Sequence, residues 1–244
     1  MNRHEKIFAT VLSGGGDRYH KQIIATAPIL YLPLTESGGL TAVNYGTLGT
    51  AANGTYSGVT LAQIAAPGGG MAPLFDGAND RINLYSAALA GGFNGALHSL
   101  VIWYYIAAAT WADGDVRAML SLGADANNRT TMFKTAAANS VTYFHLAGGT
   151  TEAATSTAYA SVQWHMATVT LSKAADQFKG YIDGTSIGTS VTIGTWAGAL
   201  ADTFCNIGVY DNTQYWGKGY FSRAIVYDRV IDLTTIQALY NGGL

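Results

Sequence analysis

The chain has little cysteine, little proline and little charge. Cys205 is the only cysteine among 244 residues, so an intrachain disulfide is excluded, and this favours a protein made in a reducing compartment. Charged residues make up 11% of the chain, against about a quarter in ordinary globular proteins. The surface is therefore expected to be covered by small polar, uncharged side chains. Such a surface favours neutral partners, such as sugars or other protein subunits.

Long hydrophobic runs and clusters of one charge are also missing. No run approaches the ~18 apolar residues of a membrane span. The apolar stretch Ile7–Leu12 is too short for the core of a signal peptide, so we expect a product that reaches its site without a cleavable signal. The 13 basic residues are scattered among 15 acidic ones. Without a basic stripe, no nucleic-acid partner is expected.

The chain has only three glutamates, Glu5, Glu36 and Glu152. A retaining glycosidase needs two carboxyl groups that flank the scissile bond, and no strand here carries a close set of acidic residues. A G-x-S-x-G nucleophile turn and a phosphate-binding loop are absent as well. The sequence therefore predicts a protein that is not an enzyme.

From Pro28 onward, short apolar runs alternate with turn residues, a pattern typical of all-β domains. Leu100–Ile106 is apolar on both faces and predicts a central, buried strand. The alternation around His165–Ser172 predicts a half-buried strand. A single short helix is predicted after Asp232, ending at Asn241-Gly242. The predicted strands are Ile29–Leu34, Leu100–Ile106, Val116–Leu122, Thr130–Lys134, Val141–Leu146, Trp164–Leu171, Gln177–Ile182, Cys205–Val209 and Phe221–Asp228.

Seven short motifs follow one another in a recognisable order. They are Ile29–Glu36, Asn53–Gly58, Leu74–Ile82, Ser99–Tyr104, Trp164–Val169, Gly180–Gly184 and Gly219–Asn241. In this order they resemble the laminin-G-like branch of the concanavalin A-like lectin/glucanase superfamily, over nearly everything after residue 28. The resemblance implies an all-β fold, a two-sheet antiparallel jelly-roll β-sandwich with a short C-terminal helix. We expect Phe75, Trp103, Trp164 and Tyr181 to fill its inter-sheet core.

Residues 1–27 lie outside this resemblance. They combine a charged start, a glycine triplet and a second polar patch, and they hold four of the 13 Lys and Arg residues. We interpret them as an extended N-terminal arm that docks the sandwich, residues 28–244, onto other subunits. The alternative is a loose chain end. The residues singled out for docking are Arg3, Lys6, Phe8, Arg18 and Tyr19.

Two segments combine aromatic rings with hydrogen-bonding side chains in predicted loops, where binding residues tend to lie. Exposed rings beside such groups are typical of sugar-binding sites. The same aromatics would equally suit a sheet edge or a subunit contact, and the sequence leaves both readings open. The candidate carbohydrate-binding residues are Trp111, Asp113, Tyr210, Asn212, Tyr215 and Trp216.

Calcium is the cofactor that the family resemblance makes plausible. Hard oxygen ligands occur in Asp113-Gly114-Asp115 and in Asp125-Ala126-Asn127-Asn128. Ca²⁺ takes about 6–8 oxygen ligands, and neither loop supplies them alone. No metal or other cofactor is therefore assigned.

Two functional hypotheses follow. The first is a bacteriophage virion protein, capsid-decorating or tail-associated, that docks through residues 1–27 and works as part of an oligomer or a larger assembly. Laminin-G-like sandwiches are common additions to phage structural proteins, which is an implication of the resemblance. The alternative is a free bacterial lectin or adhesin, extracellular or at the cell surface. Cell-surface glycans are possible partners in both.

Overall fold

A computed structural model describes residues 18–159 and 162–244. These residues form a β-sandwich of two eight-stranded antiparallel sheets. The predicted all-β sandwich with a short C-terminal helix is therefore confirmed. Arg3, Lys6 and Phe8 lie outside the described residues.

The strands, in chain order, have the following bounds. They are β1 (Leu30–Leu32), β2 (Thr41–Ala42), β3 (Gly54–Ser57), β4 (Thr60–Ala65), β5 (Met71–Asp76), β6 (Arg81–Asn83), β7 (Leu97–Tyr105), β8 (Arg117–Asp125), β9 (Asn128–Lys134), β10 (Val141–Ala147), β11 (Thr150–Ser156), β12 (Trp164–Ser172), β13 (Gln177–Ile182), β14 (Thr185–Ser190), β15 (Asn206–Ile207) and β16 (Lys218–Tyr227). The helices are α1 (residues 18–25), α2 (Ala87–Gly92), α3 (Ala108–Trp111) and α4 (Leu233–Gly243). Short 3-10 turns cover Gly49–Ala52 and Asp202–Phe204.

Sheet A has the strand order β14-β13-β12-β7-β16-β5-β4, with β1 added beside β16. Sheet B has the order β11-β10-β9-β8-β15-β6-β3-β2. Each of the nine predicted strands overlaps an observed one. Seven observed strands were not predicted, namely β2–β6, β11 and β14. The edge strands β11 and β14 have Thr- and Ser-rich sequences that lack an apolar alternation. Strand β7 is central and buried on both faces, as predicted.

The inner faces of the two sheets enclose the main core. A series of hydrogen bonds between polar side chains crosses this core. His98 Nδ1 lies 3.1 Å from the carbonyl oxygen of Asn94, and its Nε2 lies 3.0 Å from Thr130 Oγ1. Thr130 Oγ1 in turn lies 2.9 Å from His145 Nδ1. Because a carbonyl only accepts, His98 donates from Nδ1, Thr130 donates to His98, and His145 donates to Thr130. These hydrogen bonds link β7 of sheet A with β9 and β10 of sheet B.

The outer face of sheet A carries a second core, which α1 and α4 cover. Trp103 and Tyr181 belong to this cluster, and Trp164 packs against it. The expectation that these three residues fill the inter-sheet core is therefore wrong, and of the four named only Phe75 lies there. The reason is the two-residue period of a strand, which turns them to the opposite face from their inward-pointing neighbours.

Strand β12 is buried on both faces rather than half-buried. Its inner side carries His165, Ala167 and Val169, as the alternation predicted. Its outer side, which includes Met166, lies in the second core. A sequence pattern of alternating polar residues cannot show that helices distant in the chain will cover the polar side.

Residues 18–25 form a helix, whereas an extended arm was expected over this part of the chain. Tyr19 and Ile23 are 1% and 0% exposed. The Tyr19 hydroxyl accepts a hydrogen bond of 3.0 Å from Trp103 Nε1. Helix formation lets both side chains reach sheet A from one face of the segment, since they are four residues apart.

Helix α4 begins where Asp232 was expected to cap it, and the Asp232 side chain accepts a bond of 2.7 Å from Thr235 N. Ile236 and Leu239 are buried. The helix continues to Gly243, slightly beyond the predicted stop. Within the described chain, no helix is long and apolar enough to cross a membrane.

We expect the free energy of unfolding to fall as the pH drops from about 6.5 towards 4. Burial lowers the pKa of His98 to about 4 and that of His145 to about 3, whereas unfolded histidines titrate near 6.5. Between these values the unfolded state binds more protons, so each histidine costs up to about 1.4 kcal/mol of stability per pH unit. Urea unfolding at a series of pH values measures the slope. In His145→Gln the slope above pH ~5, where carboxylates contribute little, should be about half as steep. An unchanged slope would contradict the assignment.

Candidate functional site

An aromatic cleft of about 470 Å³ opens on the outer face of sheet B. Phe133 of β9 and Phe144 of β10 lie 5.2 Å apart, centroid to centroid. Tyr210 and Tyr215, from the loop after β15, lie 5.6 Å apart, and each is 5.8 Å from Phe133. This volume is within the range of about 300–1,000 Å³ that small-molecule sites occupy. The cleft is lined by Val116, Ala126, Arg129, Phe133, Phe144, Tyr210, Asp211, Gln214 and Tyr215.

The loop that brings the tyrosines to the cleft is held by its own polar groups. Asp211 Oδ1 accepts hydrogen bonds from Thr213 N, Thr213 Oγ1 and Gln214 N at 2.8–3.2 Å. The carbonyl of Tyr215 accepts from Ala118 N at 2.8 Å, which ties the loop to β8. Aspartate favours such turns because its side chain reaches backbone amides two residues on. The loop is thereby fixed on the sheet.

Tyr215 has an unusual backbone conformation. Its φ is +58°, a region that a bulky residue rarely adopts and that costs about 1–3 kcal/mol. The side chain held in this way is 42% exposed and lines the cleft. Strain of this kind persists where the surrounding contacts over-determine it, which is common at binding sites.

Arg129, on the outer face of β9, supplies the positive charge of the cleft. Its guanidinium carbon lies 4.7 Å from the ring centroid of Tyr210 and 5.3 Å from that of Phe144, so both rings make cation–π contacts with it. Burial raises the pKa of the Tyr210 hydroxyl, and the nearby Arg129 charge opposes this rise. The cleft therefore combines apolar rings with one cation and with the polar side chains of Asp211 and Gln214.

The structure brings two of the predicted sugar-binding residues together, Tyr210 and Tyr215. Asn212 and Trp216 belong to the same loop but are not among the residues that line the cleft. The Trp216 carbonyl accepts from Arg117 at 3.2 Å. The Asn212 Oδ1 atom is buried without a hydrogen-bond partner in the described part of the chain.

Trp111 and Asp113 have other surroundings. Trp111 is 2% exposed and belongs to the main core, where its ring lies 6.4 Å from that of Tyr104. The expected exposed aromatic ring at this position is therefore wrong, because helix α3 turns it inward. Asp113 forms ion pairs with Lys134 at 2.6 Å and with Arg117 at 2.9 Å. Burial would raise the pKa of Asp113, but hydrogen bonds from Lys134, the backbone and Arg117 outweigh it and hold this pKa below its usual value.

The two loops considered for calcium use their oxygens within the chain. Asp113 is paired as described, and Asp115 forms an ion pair of 2.6 Å with Arg117. Asp125 accepts from the backbone of Asn127 and from the side chain of Asn128. Over residues 18–159 and 162–244, no group of three or more His, Cys, Asp or Glu side chains is placed to hold a metal ion.

A second, polar pocket of about 500 Å³ lies beside α1. The charged side chains Glu36 and Arg223 in this pocket form hydrogen bonds within the chain. Glu36 accepts from Val43 N and from the Tyr56 hydroxyl, and Arg223 donates to the carbonyls of Pro67 and Gly69. The aromatic cleft instead groups four aromatic rings around Arg129, and we take it as the candidate site.

A histidine–carboxylate pair also occurs, but it serves the fold. His165 Nδ1 lies 2.6 Å from Asp183 Oδ2, and Asp183 Oδ1 accepts from Met166 N at 2.8 Å. The carboxylate thereby ties the β13–β14 turn to β12. Asp183 has a φ of +53° and precedes Gly184 at +74°, the conformation typical of a two-residue hairpin turn.

The sequence interpretation missed Arg129, Phe133 and Phe144. Each lies directly next to an inward-pointing residue in β9 or β10, so the two-residue period of a strand turns it to the outer face. Nothing in the sequence shows that the loop containing Tyr210 folds back over that face. The cleft arises from this long-range contact.

Comparison with known proteins gives a likeness in structure alone. No family model and no curated protein matches the chain. Among solved structures it resembles the binding domain of botulinum neurotoxin serotype D, with a TM-score of 0.67 and 14% identity over 90% of this chain and 52% of that one. A serotype D ligand-binding domain in complex with N-acetylneuraminic acid matches with a TM-score of 0.60 and 12% identity, covering 90% and 52%. A structure of type C toxin, whose cell entry depends on interaction with two ganglioside molecules, matches with a TM-score of 0.65 and 14% identity, covering 91% and 52%.

At these identities the likeness establishes the fold, a β-sandwich shared with receptor-binding domains. The chain spans about half the length of the domains it matches. The laminin-G-like assignment within this fold remains a resemblance in sequence motifs.

We expect Asp113 to matter for stability, because Asp113→Asn leaves the Lys134 ammonium, whose side chain is 0% exposed, without its counter-charge. Loss of one partner of such a pair costs about 3 kcal/mol. Asp115→Asn is the matched control, since the Asp115 side chain is 61% exposed and its loss should cost under about 1 kcal/mol. Urea unfolding of both variants tests this. Equal losses would contradict it.

Proposed function

We propose that the protein is a non-catalytic binding module that takes a glycan in the aromatic cleft. The observation that carries this proposal is the grouping of Phe133, Phe144, Tyr210 and Tyr215 around one opening, with Arg129, Asp211 and Gln214 at its edges. A sugar ring presents a face of C–H groups that packs on aromatic rings, while its hydroxyls need hydrogen-bonding groups around them. The cleft supplies both.

The structural likenesses support this proposal. They are to receptor- and ligand-binding domains, one of them in complex with N-acetylneuraminic acid. Because this chain spans half of those domains, their ligands suggest which compounds to test first. The motif resemblance to laminin-G-like domains, a branch of a lectin superfamily, points to the same class.

The non-catalytic part of the proposal rests on how the carboxylates are used. Glu36 is bonded to Tyr56 and to the backbone of Val43. Glu152 lies on the edge strand β11, paired in register with His145. Neither of these glutamates lines the cleft, and Asp211 is the one carboxylate among the described residues that do.

Tyr215→Ala should weaken glycan binding by about ten-fold or more, since the exposed ring is a platform for the sugar. A glycan array on the intact protein identifies the ligand, and titration calorimetry then compares the variants. Tyr85→Ala is the matched control, because Tyr85 is 40% exposed outside the cleft, against 42% for Tyr215. Equal effects of the two substitutions, or no binding to any glycan, would overturn the proposal.

A second proposal concerns assembly. We infer that residues 1–27 include a docking segment of a virion protein, capsid-decorating or tail-associated. The supporting observation is the anchoring of α1, whose Tyr19 and Ile23 are buried on sheet A while Arg18 is exposed. This anchor ties the start of the described chain to sheet A. A sandwich held on a particle in this way would present the cleft to cell-surface glycans.

Removal of residues 2–17 tests the assembly proposal without touching the anchor. Deletion up to residue 27 would also remove Tyr19 and Ile23 from the second core. A loss of association could then result from unfolding rather than from the loss of a docking segment. We expect the shortened chain to keep the unfolding midpoint of the full chain but to lose its association with particles in gradient sedimentation. Unchanged association would rule out a docking role for residues 2–17.

A further inference from the structure

We propose that the glycan taken by the cleft is acidic and that Arg129 receives its carboxylate, an inference that rests on the proposed function. Arg129 makes no ion pair among the described residues. Its Nε and Nη1 atoms are buried and have no hydrogen-bond partner there. A half-buried guanidinium with open donors is expensive unless an anion is close.

The surroundings of Arg129 favour an anion from outside the chain. The rings of Tyr210 and Phe144 stabilise the cation through their faces, but the Nε and Nη1 donors stay without a partner among the described residues. Asp211 is the carboxylate among the residues that line the cleft, and its Oδ1 accepts hydrogen bonds from Thr213 and Gln214 within the loop. The loop therefore holds its own acid in place and leaves the arginine charge unpaired.

The aromatic lining of the cleft favours a sugar carboxylate as the anion. A guanidinium binds a carboxylate through two parallel N–H···O bonds, and this pairing is stronger than neutral hydrogen bonds. The rings beside it suit the apolar face of a pyranose. A sugar that carries a carboxylate on its ring, such as a sialic or uronic acid, satisfies both at once. A bare inorganic anion would leave the aromatic surface unused.

The experiment compares acidic and neutral ligands of the same core. Titration of the full chain with sialyllactose and with lactose, and with an oligogalacturonide and its methyl ester, measures the contribution of the carboxylate. We expect the acidic member of each pair to bind about ten-fold more tightly or better, and this preference to fall as salt is raised. The comparison of the oligogalacturonide with its methyl ester uses the unchanged protein. It therefore remains informative even if an Arg129 variant folds poorly.

Variants locate the effect. Arg129→Gln should abolish the preference for the acidic ligand, and Arg129→Lys should keep part of it. Lys21→Gln removes an equal charge from the exposed side of α1 and should change nothing. Equal affinity for acidic and neutral ligands, with binding still dependent on Tyr215, would overturn this inference and leave the proposed function standing. An acidic preference that survives in Arg129→Gln would also overturn it. The absence of binding to every glycan would overturn both.

Discussion

The junction at Arg223 is the contact on which the arrangement of sheet A depends. Strand β16 pairs with β7 on one side and, on the other, first with β5 and then with β1. The change occurs at a bulge where Arg223 adopts a φ of +52°. Its backbone amide donates to the carbonyl of Pro33, and its guanidinium donates to those of Pro67 and Gly69. One buried cation thus joins the start of the sandwich, the β4–β5 turn and the middle of the last strand, and its charge is offset by carbonyl dipoles.

What lies on the outer faces then decides where a ligand can bind. Helices α1 and α4 cover the outer face of sheet A with a packed apolar cluster. On the outer face of sheet B, the described residues form a small cluster in which Tyr210, from the loop after β15, packs on Ala118 and Phe133. A loop buries less apolar area than a helix. The aromatic cleft is the part of this face that the loop borders without filling.

Much of the fold could be predicted from the chain itself. The strands that were predicted carry strong apolar runs, and Asp232 and the Asp183-Gly184 turn behave as their residue types dictate. The strands that were missed are either polar edge strands such as β11 and β14, whose alternation carries little hydrophobic signal, or the short strands β2–β6 of two to six residues. Trp103, Tyr181 and Trp111 show a different limit. The size and apolar character of an aromatic residue predict that it will be buried. The face of the sheet on which it is buried depends on which elements, distant in sequence, pack there.

The sequence by itself determined the all-β class, the short capped helix and the scarcity of charge that leaves an unpaired cation conspicuous. These follow from local periods, turn chemistry and composition, which need no partner residue far along the chain. Only the tertiary structure decided that residues 18–25 become a helical anchor, that Asp113 serves Lys134, and that Arg129 lies between Tyr210 and Phe144. Each of those depends on contacts between segments well separated in sequence, and such contacts are fixed when the two sheets pack and the loops close over their outer faces.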